Sequence, residues 1–443
     1  MFDPARALSR RAPFYYGWIV VLVGFVTLGM GASTRSLFSL LFPPILAEFG
    51  WERGLTASIF SIGFLLASLT FPWVGAAIDR YGPQRTLPFG ILVTAAGFAL
   101  TTVAATPLQF TVTLGIMGIG ASMSFAYNGH FVFLPNWFES KRGLAIGLVA
   151  AGGGAVAFIL IPQVQVLIDA GGWRTGCLVM AAVLVALVAP LNILLQRRRP
   201  QDLGVLPDGG LPANTGATTQ RKVLIVDATW ATTEWTLPRA MRTGRFWCFS
   251  LGFFLAMFVW YGVLVHQTKY LIDLGFDSHL AAWALGLVPT FGVGGQITLG
   301  YLADRLGREW VWTFACSGFL LSYASLLLLP HYPSAALVWI MVVTQGFLGY
   351  GVTPAVGAIP ADLFQGSSYG RIFGVIAVFG SSGGAVGPWV MGEIFDRTGS
   401  YDLGWMVAIA ACLLSIVLIW IAAPRKVRRV AFVQPSSTET ASP

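Results

Sequence analysis

Few side chains in this sequence carry charge or strong hydrogen-bonding groups inside an apolar run, and they define the chemistry open to it. Arg35 lies within the run 16–46. A charge in hydrocarbon costs at least ~2.5 kcal/mol on insertion scales, so such a residue faces a wet cavity or a partner. A guanidinium offers a carboxylate two parallel donors, and no Asp or Glu is evident at similar depth. An anionic ligand is therefore its natural partner; the competing reading is an arginine that snorkels to the outer interface. His266 and Lys269 stand three residues apart near the end of another run, hence on one helical face. They offer a proton-exchanging imidazole beside a cation, or simply an interfacial pair at the water boundary. Tyr127 and Asn128 offer neutral groups to a carboxylate or hydroxyl, or tie neighbouring helices together. No nucleophile and base, metal cluster or phosphate-cradling loop is evident. The residues suit binding rather than catalysis, with no cofactor.

A second polar set sits at the ends of the runs. Gly75 to Arg85 reads GAAIDRYGPQR, and Gly300 to Arg308 reads GYLADRLGR, both with the pattern G-x-x-x-D-R-x-G. Asp79 and Asp304 can each accept hydrogen bonds from a neighbouring helix N-terminus, whose partial positive charge favours a carboxylate. Arg80, Arg85, Arg305 and Arg308 can hold acidic or carbonyl groups across the gap. One copy would suit a solvated turn, but two copies at equivalent places imply a duplicated membrane domain. Lys141, Arg142 and Gly143 open a run that reaches Gly152, Gly153 and Gly154, just as Gly370 and Arg371 open one that reaches Gly380, Gly383, Gly384 and Gly387. Such glycines thin a helix face for a close neighbour, whether in static packing or in a moving interface.

The elements that must position these groups follow from composition. Of 443 residues, 56% are hydrophobic and 10% charged, far below the roughly 25% charge of a soluble domain. Apolar runs of about 20 residues span a membrane. Twelve are predicted, at 16–46, 55–78, 86–105, 108–134, 143–168 and 173–195, then 245–271, 280–303, 311–329, 334–361, 371–395 and 402–423. Residues 1–195 and 245–423 thus form two six-helix bundles, joined by a polar linker at 196–244. Glu234 to Gly244 in that linker reads either as a short interfacial helix or as irregular connector. The tail 424–443 is basic, then rich in Ser, Thr and Pro, and is expected to be disordered.

The net charge of +8 reads as topology rather than as a nucleic-acid surface. Counted from a cytoplasmic start, only Arg35, Arg53, Arg174, Lys269 and Arg397 fall outside the inner segments, which puts both termini and the linker in the cytoplasm. Cys177, Cys248, Cys316 and Cys412 show no ligand-like spacing and suggest packing residues.

With its two D-R-x-G loops, the chain resembles the major facilitator superfamily. That resemblance implies twelve transmembrane helices in two pseudo-symmetric bundles, and a latch at these loops that closes the cytoplasmic side. Trp137 to Gly152, WFESKRGLAIGLVAAG, resembles the fifth-helix motif of the monocarboxylate porter family. Phe138, Lys141, Arg142, Leu144, Ala145, Gly147, Ala151 and Gly152 match it, while Trp137, Ser140 and Val149 depart. YYGWIVV from Tyr15 echoes the first-helix motif, and Arg199 to Gly209 and Gly387 to Tyr401 look like bacterial members, a group that includes oxalate and formate exchangers. The resemblance implies that Arg35 stands near the family's first-helix lysine and that a histidine at 266 faces substrate. The family's eighth-helix arginine is here Gln296, which the resemblance places with the substrate, and no charged residue occurs from Ala281 to Ala303. The expected substrate is a small organic anion, most simply a monocarboxylate, moved with a proton across a bacterial inner membrane by a monomer. Two alternatives are a drug antiporter, whose usual intramembrane carboxylate and fifth-helix Gly-Pro are not evident, and a transporter-like sensor, for which the linker is too poor in apolar residues.

Overall fold

The computed structural model describes residues 4–11, 13–51, 53–209 and 224–429. Among them, twelve apolar helical segments follow one another. The first half holds α1 (Gly17–Phe49), α2 (Arg53–Tyr81), α3 (Pro83–Thr101), α4 (107–133), α5 (142–171) and α6 (173–195). The second holds α7 (Gly244–Asp273), α8 (Ser278–Leu306), α9 (Arg308–Leu328), α10 (335–364), α11 (Tyr369–Thr398) and α12 (Asp402–Ala422). At 1.5 Å per residue, even the 19 residues of α3 reach about 29 Å, close to the thickness of a bilayer's hydrocarbon core. The run from Arg142 continues past the expected end of the fifth span and turns at Gly172, where φ 79° and ψ 167° separate α5 from α6.

Glycine decides how closely the helices approach. A Cβ on Gly152 would stand 2.2 Å from the Phe25 carbonyl oxygen of α1, and one on Gly383 would stand 2.0 Å from that of Phe254 in α7. The glycines of α5 and α11 therefore seat equivalent partners, α1 and α7, within the two halves. The motif glycines have two further roles. Gly82 (φ 77°) and Gly307 (φ 106°) make the tight α2–α3 and α8–α9 turns in the left-handed region open to glycine. Gly75 and Gly300 instead sit between the halves, where an added Cβ would lie 1.9 Å from the Gly370 carbonyl oxygen and 2.5 Å from that of Gly143.

The linker is more structured where it returns to the second half than its composition suggests. It forms short helices at Ala228–Thr232 and Leu237–Met241. The Trp230 and Trp235 rings lie 4.5 Å apart, and Trp235 meets Phe364 edge-on at 5.3 Å. The disorder expected from Pro424 does not hold for its first residues. Residues Pro424–Lys426 make a turn, and Arg428–Arg429 pairs antiparallel with Leu224–Ile225. Two constraints account for this: the Arg425 N–H donates to Glu309 at 2.9 Å, and Val427 is fully buried. Residues 210–223 of the linker and 430–443 of the tail lie outside the described residues.

Candidate functional site

A cavity of about 360 Å³ lies between the halves, midway along the helices. From the first half, α1 contributes Arg35 and Ser36, α2 Phe64, and α4 Met123, Ala126, Tyr127, Asn128 and Phe131. From the second, α7 contributes Phe253, Met257, Trp260, Tyr261 and Leu264. Tyr350, Val352, Thr353 and Val356 of α10 and Ala377, Gly380 and Ser381 of α11 complete the wall. Arg35 supplies the only charge among these lining residues, and its buried Nε has no hydrogen-bond partner among the described residues. A buried donor left unmade costs roughly 1–3 kcal/mol, more when charged, so the site is energetically prepared for an acceptor. Tyr127 and Tyr350 lie within electrostatic reach of it, and Tyr261 lies within reach of both tyrosines.

Two irregular stretches shape the wall. In α4 the helix is π-wound over Thr111–Gly120 and breaks before Tyr127, with Ala126 at φ −80°, ψ −142°. Its counterpart α10 is π-wound over Thr344–Leu348 and tightens to a 3₁₀ turn over Gly349–Gly351. Both irregularities adjoin lining residues, and backbone that departs from α-helix at membrane depth is tolerated where it lines a cavity.

On the side of the linker the halves are sealed. Asp304 Oδ1 and Oδ2 accept the backbone N–H groups of Gly143 and Leu144, each at 2.8 Å, at the N-terminus of α5. Arg308 joins Asp304 at 2.5 Å and Asp362 at 3.1 Å, and Asp362 also pairs with Arg142. Arg142 in turn donates to the Phe138 and Pro135 carbonyls at 3.1 Å each. All four charges are almost fully buried, so a carboxylate or guanidinium left alone there would be strongly unfavourable. At the repeated position, Asp79 accepts the Arg371 N–H at 3.2 Å from the N-terminus of α11 and pairs with Arg198 at 3.3 Å. Arg198 also donates to the Ser367 carbonyl at 3.3 Å, and burial pulls its guanidinium below the ordinary value while Asp79 acts the other way.

The sequence candidates thus separate. Arg35, Tyr127 and Asn128 share the cavity. Gln296 is not among these lining residues: its backbone carbonyl would meet a Cβ on Gly147 at 2.2 Å, where α8 packs on α5, and its side chain is buried. His266 also lies off the lining, near the far end of α7. Its Nε2 donates to the Pro388 carbonyl at 2.9 Å, so in the neutral ring Nδ1 accepts from the Tyr401 hydroxyl at 3.0 Å. Burial raises that phenol above its ordinary value, which keeps it a neutral donor. The side chain of Lys269 lies outside the described residues. Asp79, Arg142 and Asp304 bond across the halves, and Arg308 braces Asp304 and Asp362 from within the second half. Arg80, Arg85, Lys141 and Arg305 are exposed; Arg80 lies over the Tyr81 ring at 5.2 Å, Lys141 over Trp18 at 5.8 Å and Arg305 over Tyr301 at 4.4 Å. Asp362 and Arg198 were missed by sequence reasoning. Asp362 is a single acid at the end of an apolar run, and Arg198 is one of three consecutive arginines.

Comparison with known proteins agrees with this architecture. The family profile described as Major Facilitator Superfamily matches residues 21–388. Monocarboxylate transporter 13 of Rattus norvegicus is 24% identical over 406 residues, covering 90% of this chain and 87% of the relative. Monocarboxylate transporter 12 of Mus musculus is 24% identical over 429 residues, covering 91% and 85%. Among solved structures, the human organic anion transporter MFSD10 (TETRAN) superposes with a TM-score of 0.71 at 16% identity, covering 91% of this chain and 99% of that one. The transporter FucP in the outward conformation superposes at 0.67 with 18% identity, covering 92% and 99%. A profile spanning most of the length, two halves of six helices, and a central cavity sealed at one end by repeated D-R-x-G loops converge: this chain belongs to the Major Facilitator Superfamily, a family of membrane transporters and not of enzymes.

Proposed function

We propose that this transporter moves a small organic anion, a monocarboxylate, by alternating access and together with a proton. The observation that carries the reading is Arg35, the one charge on the cavity wall among the described residues, with Nε unpartnered. A carboxylate presents two acceptors in the plane of the guanidinium, and Tyr127 and Asn128 supply neutral donors beside it. A lipophilic cation would meet Arg35 with no carboxylate on the same wall among the described residues, so drug export has no support from the lining. The names of the monocarboxylate transporter relatives and of the human organic anion transporter agree with the anion reading.

The four-charge cluster and the Asp79 contact serve as the gate that holds the halves together below the cavity. The positive residues gathered at the linker end support a cytoplasmic position for that end and both termini, in a bacterial inner membrane on this reading. The conformation is then outward-facing, and the chain works as a monomer because the cavity is complete within it. The coupling proton travels with the substrate or on His266, whose Nδ1, the position without a proton in the neutral ring, accepts the Tyr401 hydroxyl. Uptake of labelled acetate, lactate and larger carboxylates into proteoliposomes, with and without an inward proton gradient, tests this. Gradient-stimulated uptake of at least one carboxylate is expected; gradient-independent uptake would remove the proton, and no carboxylate uptake would remove the substrate class.

A further inference from the structure

The cavity is much larger than the head group that Arg35 would hold. At about 30 Å³ per water-sized atom, 360 Å³ holds about twelve non-hydrogen atoms, whereas a three-carbon hydroxy acid has about half that number. The surplus space is walled by rings. Tyr127 and Phe131 of the first half pair edge-on at 6.0 Å, and Trp260 and Tyr350 of the second half pair at 4.4 Å. These pairs and Arg35 line one space. Resting on the anion reading above, we infer that the substrate is a monocarboxylate with a flat apolar body, such as an aryl or arylalkyl acid. Its carboxylate lies on Arg35 and its ring between the two aromatic walls.

The packing behind the rings supports this. A Cβ on Gly380 would stand 2.2 Å from Phe253 Cε1, one on Gly292 2.6 Å from Tyr350 Cδ1, and one on Gly384 2.8 Å from Tyr261 Cδ2. Three rings of the second half are thus seated against glycine faces of α8 and α11, which leaves the space in front of them open. Aromatic contacts favour offset or edge-on geometry, so fixed rings select a flat partner over a branched aliphatic one. Because the walls belong to different halves, a ring held by both also biases the halves towards closing on it.

The test is uptake into proteoliposomes of labelled acetate, lactate, 3-phenylpropanoate and indole-3-acetate by the parent and by Gly380→Ala. For the parent, uptake efficiency of the two aromatic acids should exceed that of acetate by at least about tenfold. The added methyl pushes Phe253 into the cavity, so Gly380→Ala should lower the ratio of aromatic-acid to acetate uptake by about tenfold. Taking the ratio within one preparation removes differences in folded fraction. Acetate and lactate carried as well as or better than the aromatic acids would overturn the inference and leave the anion reading intact. An unchanged ratio in the variant would also overturn it. Failure of every carboxylate would overturn both.

Discussion

Replacing Asp304 by Asn removes the charge that ties the two halves together without removing a side chain of that size. In the sealed arrangement its carboxylate accepts two backbone N–H groups of α5 at 2.8 Å and pairs with Arg308 at 2.5 Å. An amide can accept one of those N–H groups, but its own NH₂ then faces the other donor or the guanidinium. Hydrogen bonds to a charged group contribute about 1.5–3 kcal/mol each. The pair with Arg308 lies within the second half and persists whichever way the halves stand, so the bonds from Gly143 and Leu144 set the scale. Since α5 and α8 belong to different halves, the loss of one of those N–H bonds falls on the sealed state and shifts its balance with the open state by about 10- to 150-fold. Spin labels at the exposed positions Lys141 and Arg305 report the separation by pulsed electron resonance. A short distance is expected for the parent, and a longer or two-peaked distribution for Asp304→Asn. An unchanged distribution in folded protein would refute the assignment of these bonds to the gate.

Gly75→Ala should open the same end by a steric route, because its Cβ would stand 1.9 Å from the Gly370 carbonyl oxygen and backbone cannot swing aside. Gly286→Ala, with nothing within 4 Å, is the control; equal label distances in both variants would contradict the packing argument. Trp230→Phe keeps a ring but deletes the 2.7 Å bond to the Leu363 carbonyl. It should cost about 1 kcal/mol in thermal unfolding, against a larger loss for Trp230→Ala. A Phe variant as unstable as the Ala variant would show that the hydrogen bond is not what holds the linker down.

The legible parts of the molecule were those with an internal echo or a large local penalty. Apolar runs announce spans because the bilayer admits little else, and the two D-R-x-G loops identify each other. Gly82 and Gly307 are readable as turn residues for the same reason. Arg35 stands out because charge is so costly in hydrocarbon. Asp362 carries no such signal: it lies at the end of the tenth run, and its partners Arg142 and Arg308 are distant in sequence. Arg198 is hidden among three arginines that topology already explains. Trp260 and Tyr350 look like any aromatics of a membrane helix until the fold turns them towards one space. The breaks in α4 and α10 had a faint mark in GASMSFAYN and GFLGYG, where glycine and small polar residues interrupt the run. Gln296, placed with the substrate on the resemblance alone, lies instead in a helix contact that only the packing of α5 on α8 reveals.

The role of Arg35 is tested most directly by comparing the parent with Arg35→Gln and Arg35→Lys, using a carboxylate that the parent carries and purified protein in proteoliposomes. Gln keeps a donor but loses the charge and the planar fork, whereas Lys keeps the charge as a point. With about 1.5–3 kcal/mol for charge-assisted hydrogen bonds, Arg35→Gln should raise KM by about 10- to 150-fold, and Arg35→Lys should fall between it and the parent. Parental KM and rate for both variants at equal protein levels would contradict the account, since the cavity would then hold its substrate without the one charge on its wall.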